Sequence, residues 1–126
     1  MGTRTLVDDP GAIAWFARRG REVGRVATVC TGAALAGRAG LLDASEATTN
    51  KIAFDWVVAA SRSDSIAWRR RARWVQPRTG DTPWTSAGVS AGMDMAYAMI
   101  GSDYGEELAR GAAELAGDGH PPGTSA

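Results

Sequence analysis

The chain has 126 residues, enough for one domain with a sizeable core. Its 14 basic and 14 acidic side chains balance, so no net field draws it to nucleic acid or to a membrane surface. Cys30 is the single cysteine, which excludes an intramolecular disulfide and suits a reducing compartment; with no apolar run of membrane-spanning length and no signal-peptide core, the simplest localisation is cytoplasmic.

In chain order, "DDPGAIAWFARRG" predicts a helix capped by Asp9, with Pro10 at its first position and Gly20 as its stop. Ile13, Phe16 and Ala17 share one face of it. "RVATVC" reads as a short buried parallel strand between helices, and "TGAALAGRAG" as a helix ending at Gly40. "ATT" suits a short strand. Asn50 can then cap a helix through "KIAFDWVVAAS", with Ile52, Trp56, Ala59 and Ala60 on its apolar side. "ARWVQ" and "PWTSAG" read as extended segments joined by the turn-rich "PRTGDT". "VSAGMDMAYAMIG" and "SDYGEELARGAAELAG" are helical, the second capped by Ser102 or Asp103. Residues 118–126 have the composition of a disordered tail. Helix, strand and helix with short joints indicate the α/β class.

Cys30 sits at the seam between the first strand and the helix that follows, with Thr31 and Gly32 after it. A strand turning sharply into a helix exposes the residue at the turn, as in a nucleophile elbow. Amides at the start of the helix carry partial positive charge, which favours thiolate over thiol. The same amides, those of Thr31 and Gly32, can cradle an oxyanion formed when sulfur attacks carbon. An Ala/Val-rich setting also suits cysteine as a small buried apolar residue, and spacing alone leaves both readings open.

The segment "VCTGAALAGRAGLLDASEATTNKIAFDWV" resembles the nucleophile segment of the ThiJ/PfpI family, within the class I glutamine-amidotransferase-like superfamily. "WTSAGVSAGMDMAYAMI" is similar to that family's closing strand and helix, and "VDDPGAIAWFARR" to the helix before the nucleophile strand. The resemblance implies a flavodoxin-like three-layer sandwich with a mostly parallel sheet, of which residues 1–117 form the C-terminal part. It implies Cys30 as nucleophile and Thr31 as a site residue whose amide, with that of Gly32, forms the oxyanion site. Threonine after the cysteine resembles the isonitrile-hydratase-like branch; the protease branch has histidine there. Many relatives also carry histidine where this chain has Asn50, a departure that tells against a Cys–His pair. The implied activity is cysteine-dependent hydration of, or addition to, a small electrophile, with a small-molecule substrate and a homodimer in the full-length form. No cofactor or metal ion is called for. A sensing module of the kind found in AraC-type regulators, or a remnant without function, are the rival readings. "MGTR" looks like the end of a Gly-Gly-x-Gly-Thr turn, so the expectation is that upstream strands, helices and an acidic partner are missing and that the chain alone is inactive and poorly soluble.

Other residues carry weaker expectations. His120 lies in the Pro/Gly tail, a poor place for a base or ligand. The run from Arg69 to Arg73, between Trp68 and Trp74, reads as a solvated basic edge. Met93, Met95, Met99 and Tyr97 read as helix core and flank, and Asp94 and Asp55 either as pocket-lining carboxylates or, the simpler reading, as surface ones.

Overall fold

The computed structural model describes residues 2–116. Helix α1 spans Thr3–Leu6 and α2 Pro10–Glu22; strand β1, Ala27–Val29, leads through a 3-10 turn at Cys30–Gly32 into α3, Ala33–Arg38. There follow β2 (Glu46–Ala47), α4 (Phe54–Ser61), β3 (Ala67–Trp68), β4 (Trp74–Val75), β5 (Trp84–Ser86), α5 (Val89–Tyr104) and α6 (Glu106–Leu115). The class is mixed α/β, as the alternation of patterns implies.

The sheets are smaller and more mixed than expected. One has the order β1-β5-β4, with β1 parallel to β5 and β4 antiparallel to it; β2 and β3 form a separate parallel pair. Strand β1 is parallel, but only Thr28 in it is buried. The buried strand is β5, where Trp84, Thr85 and Ser86 are all enclosed. Among the described residues β5 is the only strand beside β1.

Helix α2 begins as its sequence dictates. Asp9 Oδ1 accepts from the amides of Gly11 (2.9 Å) and Ala12 (3.2 Å), and Pro10 occupies the first position. Gly20 does not stop it. The helix runs to Glu22, and Gly20 is small because a Cβ there would lie 2.4 Å from the Leu41 side chain. Helix α4 starts at Phe54, later than Asn50 suggests, because Asn50 Oδ1 accepts from Ala53 N (2.9 Å) and closes a turn first. Ile52 falls in that turn and is 99% exposed, not on an apolar face. The boundary between the last two helices is also displaced. Gly105, at φ +101°, ends α5, so Ser102 and Asp103 lie inside α5 and cap nothing.

Two apolar clusters form the interior. Ala33, Ala34, Ala36, Leu42, Val57 and Ile66 pack α3 against α4, and Trp74 stacks on Trp84 (centroids 6.0 Å apart) above Met95. The small residues of α3 set the first contact. A Cβ on Gly37 would come within 2.6 Å of Ser61 Cβ, on a different helix. Gly37→Ala should therefore destabilise the fold by about 1–3 kcal/mol through overpacking, despite alanine's better helix propensity. Urea unfolding of the variant beside the parent measures this.

Arg25 ties the start of β1 to the end of α5, donating to both carboxylate oxygens of Asp103 (2.7 and 2.8 Å). These hydrogen bonds hold the Asp103 carboxyl below its ordinary value of 3.8. A carboxylate with a depressed folded-state value adds stability above its unfolded value and loses it as pH falls through the folded one. Asp103→Asn should accordingly flatten the fall in stability below about pH 4, seen in thermal melts across an acid series.

Candidate functional site

Val29 ends β1 in extended conformation (φ −126°, ψ 138°), and the next residue, Cys30, has φ +59°. That is left-handed backbone, which costs a residue with a Cβ about 1–2 kcal/mol. The sharp strand-to-helix turn expected at the seam is therefore present, and Cys30 is its apex. The residue is half-buried and its thiol is free.

The loop after β2 holds this turn in place. Thr49 Oγ1 donates to the Cys30 carbonyl at 2.6 Å, and Asn50 N donates to the same oxygen at 3.3 Å. Asn50 also reaches the sulfur: its Nδ2 lies 3.3 Å from Cys30 Sγ. Because Asn50 Oδ1 is engaged by Ala53 N, the amide can present only its NH2 group to the cysteine. A donor aimed at sulfur supports negative charge there.

Thr31 and Gly32 complete the turn and lead into α3, both half-buried. The Thr31 hydroxyl shares a hydrogen bond with Thr3 Oγ1 (3.0 Å), joining the turn to α1. The structure thus keeps Cys30, Thr31 and Gly32 together and adds Thr49, which sequence reasoning had not placed in the site, and Asn50, which it had met only as a helix cap and as the residue standing where the family resemblance expects histidine. The available signal was the Ala-Thr-Thr-Asn run itself, a cluster of short polar side chains at the end of a strand.

A second set of contacts fixes that loop. Thr48 N donates to Thr85 Oγ1 (2.9 Å) in the buried strand β5, and Thr48 Oγ1 donates to Arg69 O (2.8 Å). Lys51 Nζ donates to Thr48 Oγ1 (3.1 Å), Arg70 O (2.6 Å) and Ala72 O. Burial, and secondarily the charge of Arg70, push Lys51 below the ordinary lysine value of 10.5. Its three oxygen partners nevertheless suit an ammonium, which has three protons to donate.

The remaining sequence candidates fall outside this cluster. Asp94 is buried, not superficial, and its carboxylate meets Arg73 at 2.7 Å. Asp55 is exposed and pairs with Arg70 at 2.5 Å. The basic run is exposed, but Arg69 also pairs with Glu46 (2.8 Å), so this edge is laced with ion pairs. Met95 and Tyr97 are buried, Met99 flanks the tryptophan cluster and Met93 is exposed. His120 lies outside the described residues. Among the described residues, no group of three or more His, Cys, Asp or Glu side chains could hold a metal ion, and no helix is long and apolar enough to cross a membrane.

Compared with known proteins, the chain matches no family model and no curated sequence.

Thr49 offers a direct test of the clasp on the turn. Thr49→Val keeps the shape of a fully buried side chain and deletes its bond to the Cys30 carbonyl. The expected loss is about 1 kcal/mol, with Asn50 N left as that oxygen's donor. Chemical denaturation gives the figure.

Proposed function

We propose that the protein is a cysteine-dependent hydratase or lyase of the ThiJ/PfpI kind, with a flavodoxin-like domain, acting on a small electrophile such as an isonitrile. The observation that carries this reading is the left-handed Cys30 at the end of β1, its sulfur within reach of the Asn50 amide. Strain of this kind persists only where surrounding contacts enforce it, and here Thr49 and Asn50 do so. A packing cysteine needs neither the strain nor the donor.

In this reading the sulfur of Cys30 adds to the isonitrile carbon, which also takes up a proton, giving a thioformimidate. Water then adds across the carbon–nitrogen double bond, its oxygen to carbon and a proton to nitrogen. Expulsion of the thiolate releases the formamide and restores Cys30. The amides of Thr31 and Gly32 stabilise negative charge on oxygen during that collapse. Asn50 takes the place that a histidine holds in many relatives. It can orient the sulfur and donate to it, but it cannot accept the thiol proton as a histidine would. The reading includes a homodimeric full-length form and a small-molecule substrate.

Two measurements test it. Iodoacetamide at neutral pH should label Cys30 in the folded protein faster than it labels glutathione, and Asn50→Ala should slow the labelling several-fold, by about 3–10 times. In the active form of the protein, Cys30→Ala should abolish isonitrile hydration while leaving the circular dichroism spectrum unchanged. An alanine variant that keeps most of its turnover would make Cys30 a packing residue.

A further inference from the structure

Two clefts away from Cys30 share part of their lining. The first, about 420 Å³, runs between α2 and the end of α3, over Pro10, Ile13, Ala14, Ala17 and Ala39. The second, about 260 Å³, lies between α1 and α4, among Arg4, Trp56, Ala59, Ala60 and Arg62. Val7, Asp8 and Arg38 line both, so the two are arms of one groove.

The arms differ in chemistry. Apart from the residues at the junction, the α2–α3 arm is floored by aliphatic side chains and a proline. The α1–α4 arm carries three guanidinium groups against one carboxylate. Arg38 is partly used: its Nη1 donates to Ala60 O (2.9 Å) and its Nη2 meets Asp8 (3.5 Å), which offsets that carboxylate at the junction. Arg4 lies over the Trp56 ring, 4.2 Å from its centroid. Neither Arg4 nor Arg62 has a carboxylate partner among the described residues.

Arg62 adds a separate observation. It caps α4 at φ +51°, a position where glycine ends a helix without strain. A cation at the C-terminal end of a helix does complement its dipole. Arg38 already does this by bonding Ala60 O, while Arg4 arrives from a different helix. A surplus of positive charge thus collects at one end of a groove whose other end is apolar.

We propose that this groove binds an anionic amphiphile: a small molecule whose phosphate or carboxylate head sits among Arg4, Arg38 and Arg62, with its alkyl tail along Ile13, Ala14 and Ala17. Guanidinium groups suit such a head because they donate two parallel hydrogen bonds to one anion. The apolar arm supplies the hydrophobic contact that distinguishes this ligand from a free anion. The site is independent of the chemistry assigned to Cys30.

Octyl phosphate is the probe, titrated calorimetrically below its micelle concentration, with inorganic phosphate and octanol as the two half-ligands. It should bind one to one and saturably, about tenfold tighter than either half. The double variant R4E/R62E, changed at exposed positions, should weaken octyl phosphate about tenfold, its fold checked by circular dichroism. Ala14→Asp, on the exposed side of the tail arm, should weaken octyl phosphate and leave inorganic phosphate unaffected. Absence of binding, binding no tighter than phosphate alone, or binding indifferent to both variants would each overturn the proposal.

Discussion

The hydrogen bonds on the Cys30 carbonyl are the constraint from which the rest of this site follows. A residue with a side chain rests at φ +59° at a cost, which the contacts around it must offset. Thr49 Oγ1 and Asn50 N converge on that oxygen from the loop after β2, about twenty residues away in sequence. The chain can therefore leave β1, reverse at one residue and enter α3 without a glycine at the apex. Gly32 then follows within the 3-10 turn, where a Cβ would meet the Thr28 side chain at an ordinary 3.8 Å.

That loop can act as a clasp because it is itself tied down by hydrogen bonds. Thr48 links it to β5 through Thr85 and to the segment before β4 through Arg69, and Lys51 gathers two carbonyls of that segment with one ammonium. Ser86 Oγ donates to Thr28 O (3.0 Å), so β5 also holds the strand that leads into the cysteine. Thr28, Thr48, Thr49, Thr85 and Ser86 are all buried. A hydroxyl-rich interior of this kind is costly wherever a partner is lacking, and Thr28 Oγ1 has none among the described residues. In exchange the network ties two sheets that share no strand and holds Asn50 at hydrogen-bond distance from sulfur.

What could be read from the residues and what could not divide along physical lines. Signals local to a few residues were legible: Asp9 and Pro10 at the start of α2, the strand-to-helix seam at Cys30, and the helical periodicity of α4, α5 and α6. Signals that depend on a distant partner were not. Gly20 resembles a helix stop until Leu41 is seen beside it, and Gly101 and Gly105 are equivalent in sequence until backbone angles separate them. Ile52 followed the helical pattern, but Asn50 spent its cap on a turn. Asp94 reads as a surface carboxylate because its partner, Arg73, comes from a loop before β4. The extent of the sheets was hardest to read. Strands of two and three residues are set by pairing across the fold, where hydrophobic pattern has little to say.

Charge shows the same dependence on placement. The sequence balances 14 basic against 14 acidic groups, which excludes a global field but says nothing about where the imbalance falls. In the fold, Arg25 and Arg73 bind α5 to the sheet through Asp103 and Asp94, while Arg69 and Arg70 spend theirs on Glu46 and Asp55. Pairs as exposed as Arg70 with Asp55 add little stability, but they do neutralise the edge on which they sit. The arginines around Trp56 are treated differently. Three of them meet one carboxylate, and one stands at a strained helix end where a smaller residue would be at ease. A neutral total has thus been assembled from a compensated face and an uncompensated one. It is the second, bordered by an apolar cleft, that has charge left for something outside the chain.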